Sequence, residues 1–386
     1  MELPILHFGP AEYQARIKKT CACLQKLGLH GLILFRQESM YYLTGYDTCG
    51  YAMFQAGYLG ADGRTALLTR TADRLQSKMT STFDEVRIWY DREGAAPADE
   101  LRDMLEDLGC RGKPIGIEYH AYGLTGLRAK SVDAALDGFC QLVEATDVVR
   151  EVRMVKSAAE LGYVRKAGEL CDQMLGVSIE RTVPGVSAKS VYGAMLGGLI
   201  AGGGDPPAGR WPMGAGEAAL FGRYHTGDEI VAAQDQIVFE PGAAYRHYHA
   251  AMMYNILTGV VSDKHKAMNH AAGEAIDACL EALRPGATIG EIYDTHLQVV
   301  TEAGFGDSAL AACGYTLGIA YPPTWMDWPM MWAGNPWVIE AGMVFFMHMI
   351  LFDAQSGLSM CIGETALVTE GKAERLNHVP RECIVN

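Results

Sequence analysis

Residues 341–351 read AGMVFFMHMIL, and His348 interrupts an otherwise apolar run from Met343 to Leu351. An apolar run of this length predicts a strand that is buried on both faces. Together with its neighbours it gives a set of predicted strands at 236–240, 245–258, 314–321, 343–352 and 359–369. Apolar residues at helical spacing predict helices at 158–182, from 188 to the glycines at 202–204, at 262–283 and at 289–303. Helices on one side of mostly antiparallel strands form an α+β architecture, which we expect for this part of the chain.

The N-terminal part of the chain shows a different pattern, in which strands and helices alternate. Strands are predicted at 32–35, 65–69, 86–90 and 115–118, and helices at 11–30, 97–108 and 123–136. This alternation is typical of a small α/β domain. A segment with basic residues, EVRMVKSAAE at 151–160, leads into the first long helix of the α+β part. We therefore expect two domains, 1–156 and 157–386.

Composition excludes several classes of protein. The chain has 386 residues and a net charge of −14, with 49% hydrophobic and 20% charged residues, as in globular proteins. It has no Lys/Arg-rich run, which argues against a nucleic-acid partner. We find no signal peptide and no apolar stretch of ~18 residues, so a cytoplasmic protein that does not enter membranes is expected. The ten cysteines include no C-x-x-C pair, which favours reduced thiols.

The first candidate site residue is Glu240, which ends the apolar strand in QIVFEPG, residues 236–242. A carboxylate there is costly to bury without a partner or a function. A second strand returns through YRHYHAA, residues 245–251, and side chains alternate along a strand. His247, His249 and Ala251 are therefore expected on one face, with His249 in the pocket. The alternative is that these histidines only make hydrogen bonds within the sheet.

Aromatic residues between 315 and 337 form the next candidate feature. Four of the six tryptophans lie from Trp325 to Trp337, among prolines and glycines, and follow neither strand nor helix spacing. Tryptophans in a loop often line binding sites and attract cations. We therefore expect this segment to enclose a substrate, with packing at a dimer interface as the alternative. For His348, a hydrogen-bonded core histidine is the alternative to a functional one.

From Ile237 to Thr369 the sequence resembles the catalytic half of the pita-bread family, which includes methionine aminopeptidase, Xaa-Pro peptidases, creatinase and ectoine hydrolase. The resemblance is carried by PG at 285–286, AGMVF at 341–345 and ETALVTE at 364–370. It implies a C-terminal pita-bread domain that follows a smaller creatinase-like N-terminal domain. Metallopeptidases of the family bind two metal ions through two Asp, one His and two Glu. Those positions read Glu240, Ala251, Tyr315, His348 and Gly363 here.

The resemblance therefore implies a branch without the metal ligands, and no cofactor is expected. A single metal held by Glu240, His249 and His348 is the alternative, because two histidines and a carboxylate form a known ligand set. His225, in GRYHT at 222–226, matches a family histidine that transfers protons at the substrate. Glu364 follows the lost ligand position at Gly363, and it could point into the pocket or away from it.

The N-terminal segment YYLTGYD, residues 41–47, resembles a family loop that reaches the active site, often of the partner subunit. A homodimer is accordingly expected. Catalytic roles are predicted for Glu240, His225, His249 and His348. Substrate-binding roles are predicted for Tyr315, Trp325, Tyr46, Asp47, Tyr321 and Glu364.

The group that the sequence resembles best is ectoine hydrolase. Shared features include Glu240, the RHYH segment at 246–249 and the segment YPPTW at 321–325. The resemblance implies hydrolysis of a non-peptide C–N bond, an amidine or amide, in a small nitrogen-containing substrate. Glu240 would attack the carbon or activate water, while His225 or His249 moves protons. The alternatives are an Xaa-Pro peptidase and a binding protein that has lost catalysis.

Overall fold

The computed structural model describes residues 5–224 and 228–386. The chain divides into two compact units, Met1–Arg153 and Met154–Asn386, so the division falls three residues before the predicted boundary. Both predicted fold classes are confirmed: the first unit is α/β and the second is α+β. In the described part of the chain, no helix combines the length and the apolar character that a membrane crossing requires.

The first unit is built around one mixed sheet. Its helices are α1 (Pro10–Lys26), α2 (Gln37–Thr44), α3 (Arg74–Thr80), α4 (Pro97–Asp107), α5 (Gly126–Leu136) and α6 (Asp147–Val152). Its strands are β1 (Gly31–Leu34), β2 (Ala56–Gly60), β3 (Thr65–Arg70), β4 (Glu85–Trp89), β5 (Pro114–Ile117) and β6 (Gln141–Glu144). The strand order is β4-β3-β2-β1-β5-β6, and β2 is antiparallel to both neighbours. A buried apolar cluster joins this sheet to α4 and α5.

Helix α2 differs from the loop that the sequence suggests around residues 41–47. Its N-terminus is held by Glu118, a buried residue that follows β5. One carboxylate oxygen accepts hydrogen bonds from the backbone N–H groups of Phe35 and Arg36, at 2.9 and 2.8 Å. The other oxygen accepts from Ser39 at 2.5 Å. A carboxylate at a helix N-terminus satisfies N–H groups that have no partner within the helix.

The second unit places helices against a large antiparallel sheet. Its helices are α7 (Ala158–Arg181), α8 (Ala188–Ala201), α9 (Asp263–Ala282) and α10 (Ile289–Glu302). Its first strands are β7 (Met213–Ala215), β8 (Asp235–Phe239), β9 (Gly242–Tyr245), β10 (Tyr248–Ala251) and β11 (Met253–Thr258). They are followed by β12 (Gly314–Thr316), β13 (Asp327–Met330), β14 (Val344–Asp353), β15 (Leu358–Leu367), β16 (Glu374–Arg375) and β17 (Ile384–Val385). The main order is β13-β12-β14-β15-β11-β8-β7, and β9 and β10 form a separate two-stranded sheet.

Two of these helices begin with a capping box, which fixes where they start. In α7, Ser157 accepts from the backbone of Glu160, and the Glu160 side chain accepts from the backbone of Ser157. Thr288 and Glu291 make the same exchange at the start of α10. These reciprocal bonds satisfy two helix N–H groups each and define the entry of both helices.

The predicted continuous strand at 245–258 is wrong, and the reason is local. Arg246 and His247 both have positive φ, 53° and 64°, and form the turn between β9 and β10. Two left-handed residues make a turn whose twist matches that of the flanking strands. His247 is therefore a turn residue, and the expectation that it shares a strand face with His249 and Ala251 is corrected.

Candidate active site

Strand register brings Glu240, Gly363 and His348 to one face of the large sheet. His348 pairs with Gly363 across β14 and β15, and Gly363 pairs with Met253 of β11. Tyr254 pairs with Phe239 at the end of the β11–β8 pairing. Continuing this antiparallel register by one residue on each strand places Glu240 opposite Met253. Residues paired across antiparallel strands point to the same side. These residues therefore form a row across the sheet.

A second row on the same face contains Tyr315, which pairs with Phe346 two residues from His348. Ala251 belongs to β10 of the separate two-stranded sheet and is joined to the large sheet at Thr365. The hydroxyl of Thr365 bonds both backbone groups of Ala251 at 2.8 Å. Four of the five positions assigned from the family resemblance, Glu240, Tyr315, His348 and Gly363, thus lie on one face of the large sheet. Helix α9 lies against the opposite face, where a Cβ on its Gly273 would be 4.0 Å from the side chain of Ile362.

Glu240 is the carboxylate of this face. Its backbone N–H continues the sheet by donating to the carbonyl of Pro212 at 2.9 Å. Loss of solvation raises the pKa of Glu240 to about 7, although the positive charge of Arg223 and a hydrogen bond from Tyr315 both lower it. The residue is half-buried by accessible area, so it is surrounded by protein yet not sealed from water. Such a carboxyl group changes its charge near neutral pH, which suits proton transfer.

Two aromatic side chains orient the carboxylate. The hydroxyl of Tyr315 donates to Oε1 of Glu240 at 3.4 Å, and Nε1 of Trp325 donates to that hydroxyl at 3.0 Å. Burial raises the pKa of Tyr315 well above its usual value, and the charge of Glu240 raises it further. Tyr315 therefore stays protonated and keeps donating throughout the ordinary pH range.

Trp325 reaches this position because two glycines leave room for its ring. A Cβ on Gly242 would lie 3.3 Å from the indole, and one on Gly209 would lie 2.7 Å from it. The indole is almost fully buried and so forms a wall of the site. Nearby, Tyr321 stacks on His247 with ring centroids 4.3 Å apart. The predicted aromatic segment thus supplies two residues to this region, while their binding of substrate stays a prediction.

His348 lies beside Tyr315, with ring centroids 5.7 Å apart. Burial lowers the pKa of His348 to about 4, and the charges of His296 and Arg223 lower it further. The ring is therefore neutral at physiological pH. Its Nδ1 is buried without a hydrogen-bond partner among the described residues, which differs from the hydrogen-bonded core histidine of the alternative reading. The ring therefore brings no positive charge to the site, and its Nδ1 is enclosed by protein.

Arg223 is a site residue that the sequence reasoning missed. Its charge affects Glu240, Tyr315 and His348 alike. The adjacent carbonyl of Tyr224 accepts from the backbone N–H of Met213, which anchors the segment to β7. Within the described residues the guanidinium makes a 3.7 Å contact with the sulfur of Met326 and no ion pair. Its only sequence signal was its position two residues before His225.

Two of the predicted site residues have structural roles in this fold. His249 is fully buried, and its Nε2 accepts from the backbone N–H of Ala208 at 3.0 Å. Its Nδ1 bonds the carbonyl of His247 at 2.9 Å. Burial lowers the pKa of His249 to about 4. Both ring nitrogens bond backbone groups, so this geometry favours a bridging role over proton transfer. The catalytic role of His249 stays a prediction.

Glu364 points away from the site. It neighbours Gly363 on β15, so its side chain lies on the opposite face, where it is fully buried. There it accepts from Nε of Arg375 at 2.8 Å and from Nη1 of Arg381 at 3.0 Å. The expectation of a substrate-binding Glu364 is accordingly replaced by a buried ion-pair role.

The other predicted residues lie elsewhere. Tyr46 is buried in the first unit, with its hydroxyl 3.3 Å from Oγ1 of Thr69. Asp47 follows it and is half-buried. His225 lies outside the described residues. The roles proposed for these three residues stay predictions.

The side chains present do not fit the two-metal centre of the family's peptidases. Glu240 is the one carboxylate among the five positions. At Gly363 a Cβ would lie 2.9 Å from Cβ of Met253 and 3.0 Å from the ring of Phe346, so apolar atoms fill the space of a ligand side chain. No group of three or more His, Cys, Asp or Glu residues in the described ranges is arranged to hold a metal ion.

Comparison with known proteins places this site in a family. The family model for metallopeptidase family M24 matches residues 162–370, and that for the creatinase/prolidase N-terminal domain matches residues 16–155. The chain belongs to metallopeptidase family M24, and the resemblance to the pita-bread family is confirmed. It is a family of hydrolases.

Individual relatives differ in their reactions. The chain is 27% identical over 399 residues to the ectoine hydrolase of Halomonas elongata, and the match covers 98% of each protein. It is 23% identical over 370 residues to the Xaa-Pro dipeptidase of Pyrococcus horikoshii, covering 96% of this chain and 98% of the relative. The solved structure of dipeptidase PepE from Mycobacterium ulcerans superposes with a TM-score of 0.86 at 24% identity, covering 98% and 99% of the two chains. The last likeness supports the fold alone.

Proposed function

We propose that this protein hydrolyses a non-peptide C–N bond, in an amidine or amide of a small nitrogen compound, without a metal ion. The observation that carries the proposal is Glu240, a carboxyl group with a pKa of about 7 that accepts a hydrogen bond from Tyr315. A group that ionises near the working pH suits acid–base or nucleophilic catalysis. The relative that acts on ectoine supports this class of substrate.

Two chemical routes are compatible with this arrangement. In the first, the carboxylate of Glu240 forms a bond to the amidine or amide carbon, and the C–N bond breaks as the nitrogen takes a proton. The intermediate on Glu240 is a mixed anhydride when the substrate is an amide and an O-acyl imidate when it is an amidine. Water then attacks this intermediate and regenerates the carboxylate, and the proton that the water releases replaces the one taken up by the nitrogen. In the second route, the carboxylate of Glu240 takes a proton from a water molecule while the oxygen of that water bonds to the substrate carbon. Glu240 then passes the proton to the leaving nitrogen as the C–N bond breaks. Each route consumes one water molecule.

The surrounding residues have supporting roles in either route. Tyr315 donates a hydrogen bond to the carboxylate of Glu240, whose negative charge changes during the reaction. Trp325 shields the reacting atoms from bulk water. His348 places a neutral ring beside Tyr315. The homodimer and the cytoplasmic location that the sequence suggests stay predictions.

The Xaa-Pro dipeptidase relative supports a second candidate, cleavage of an Xaa-Pro dipeptide. The test is to treat the protein with a chelator and to incubate it with ectoine, hydroxyectoine, creatine and an Xaa-Pro dipeptide, following products by mass spectrometry. Turnover of an ectoine by metal-free protein, lost in Glu240→Gln, would support the proposal. Cleavage of the dipeptide alone, dependent on added Mn²⁺ or Co²⁺, would replace it with the peptidase.

A further inference from the structure

A buried carboxylate in the first unit lacks a cationic partner. Asp73, which precedes α3, is 8% exposed. Its Oδ1 accepts a hydrogen bond from the hydroxyl of Thr48 at 2.7 Å, and it forms no ion pair among the described residues. Arg70, three residues earlier, pairs with Asp91 at 2.7 Å instead. A buried charge without a compensating cation is costly.

A neutral oxygen beside Asp73 lacks a hydrogen-bond donor altogether. Gln55 is 3% exposed, and its Oε1 has no hydrogen-bond partner in the described structure. The orientation of its amide is set by neighbours: Nε2 of Gln55 donates to Oε1 of Gln37 at 2.8 Å, and Nε2 of Gln37 donates to the carbonyl of Tyr46 at 2.6 Å. Reversing the Gln55 amide would set two acceptors against each other, so Oε1 is the atom that points toward Asp73.

These oxygens converge above Gly50. The position that a Cβ would take on Gly50 lies 2.8 Å from Oδ2 and 2.9 Å from Oδ1 of Asp73, and 3.0 Å from Oε1 of Gln55. None of these atoms can donate a hydrogen bond to another when Asp73 is ionised. The Tyr46 hydroxyl also makes a hydrogen bond with Asp73, so Asp73 has two hydroxyl partners, Tyr46 and Thr48, but neither carries a positive charge. The group that satisfies the remaining oxygens, including Oε1 of Gln55, must be positive or a donor. Gly50 has no side chain to fill the space.

We propose that Asp73 and Gln55 bind a small monovalent cation, K⁺ or Na⁺, beside Gly50. Hard cations take oxygen ligands, and divalent ions are usually bound by several carboxylates. One carboxylate and a neutral amide oxygen instead balance a single positive charge. The hydroxyl of Thr48, which also accepts from the N–H of Gly50 at 2.8 Å, links the carboxylate to the 46–50 segment. Binding would therefore fix this segment against Gln55 and Asp73.

The test compares thermal unfolding of the full chain in KCl, NaCl and N-methylglucamine chloride at equal ionic strength. We expect a midpoint about 3–8 °C higher with K⁺ or Na⁺ at saturation. The difference should vanish in Asp73→Asn, which removes the charge, and in Gly50→Ala, which puts a methyl group among the three oxygens. Asp137→Asn, at an exposed position of the same unit, should keep it.

The proposal would be overturned if the unfolding midpoint were equal in all three salts, or if Asp73→Asn responded to the salts as the unchanged protein does. Either result would indicate that an ordered water molecule donates hydrogen bonds to these oxygens. Crystals grown in RbCl give a second measurement that does not depend on the variants folding. An anomalous peak within ~3 Å of both Asp73 and Gln55 oxygens is expected. Its absence would equally overturn the proposal.

Discussion

The hydroxyl of Tyr315 lies 3.4 Å from Oε1 of Glu240, across strands that are 75 residues apart in the chain. The phenol donates and the carboxylate accepts, so the bond stabilises the charged form of Glu240 and lowers its pKa. Burial acts in the opposite direction and dominates, leaving the pKa at about 7. The working pH of the proposed reaction is therefore set by three effects: burial, which raises the pKa, and the charge of Arg223 and the Tyr315 hydrogen bond, which both lower it.

Tyr315→Phe should raise the pKa of Glu240, because the hydrogen bond that favours the carboxylate is removed. If ionised Glu240 is the reactive form, the activity of the unchanged protein rises with pH through about 7. In Tyr315→Phe the midpoint of this rise should move to higher pH by ~0.5–1 unit, the effect of losing one hydrogen bond to the carboxylate. The pH dependence of kcat/KM measures this shift. Tyr122→Phe, at a 62% exposed tyrosine, is the control and should leave the profile in place. A shift to lower pH would contradict the assigned direction of the bond.

Arg223→Gln should move the same profile in the same direction. The positive charge of Arg223 lowers the pKa of Glu240, so a neutral side chain raises it. Added salt should reduce the difference between the two proteins, because Arg223 is exposed and its field is screened. Arg284→Gln removes an equally exposed guanidinium elsewhere in this unit and serves as the control. An unchanged profile in Arg223→Gln would remove Arg223 from the site.

Glu240→Gln should abolish turnover and stabilise the fold above neutral pH. The pKa of Glu240 in the folded state, about 7, lies above its ordinary value of 4.5, so the folded protein holds this proton more tightly. The stability it contributes is greatest below pH 4.5 and is lost as pH rises from there to about 7. Glutamine does not ionise and avoids that loss, which we expect to be ~1–3 kcal/mol.

Urea unfolding of both proteins between pH 4 and 8 measures the difference. Glu118 also has a raised pKa, about 7, through burial, but it is present in both proteins and its effect cancels. The difference should grow through the acidic range and level off above neutral pH. A constant difference across the whole range would show that Glu240 does not titrate as proposed.

Local sequence patterns locate the long buried strands of the large sheet, such as β14 and β15, because an apolar run marks a buried strand. They miss the short strands β7 and β13, and β13 (Asp327–Met330) lies within the tryptophan-rich segment that the sequence predicts to be a loop. The turn at Arg246 and His247 carries none of the Asn-Gly, Asp-Gly or Gly-Gly pairs that usually mark a two-residue hairpin turn, so the sequence does not predict it. Helix α2 was missed because Glu118 stabilises its N-terminus from about 80 residues away. Long-range contacts of this kind leave no local pattern.

The residues of the candidate site also differ in how far the sequence predicts them. The family resemblance located Glu240, Tyr315 and His348, which strand register then brings to one face. The role of Arg223 depends on three side chains that are distant in sequence, so no motif marks it. The alternation of side chains along a strand predicts that His249 faces the pocket, but it does not predict which groups bond its ring nitrogens. Its bond to Ala208 becomes visible only in the folded chain.

Gly363→Ala should destabilise the protein, because a methyl group there meets Met253 at 2.9 Å and Phe346 at 3.0 Å. Overpacking of this kind costs ~1–3 kcal/mol. Gly176→Ala, in α7 with no heavy atom within 4 Å of the added carbon, is the matched control and should stabilise by ~0.5–1 kcal/mol. Urea unfolding of the two variants measures both effects. Equal stabilities would mean that Phe346 moves freely and that a ligand side chain could be accommodated at Gly363.

His249→Phe separates bridging from proton transfer at this buried histidine. Phenylalanine keeps a ring of similar shape but leaves the N–H of Ala208 without its acceptor, which costs ~1–3 kcal/mol. We expect lower stability, some loss of kcat and an unchanged position of the pH profile, since the neutral ring does not titrate near pH 7. His270→Phe, at an exposed position of α9, controls for the added apolar surface. The opposite result would be an unchanged stability together with the loss of one of the two pH-dependent steps in kcat/KM. That result would assign His249 to proton transfer, as the family resemblance suggests.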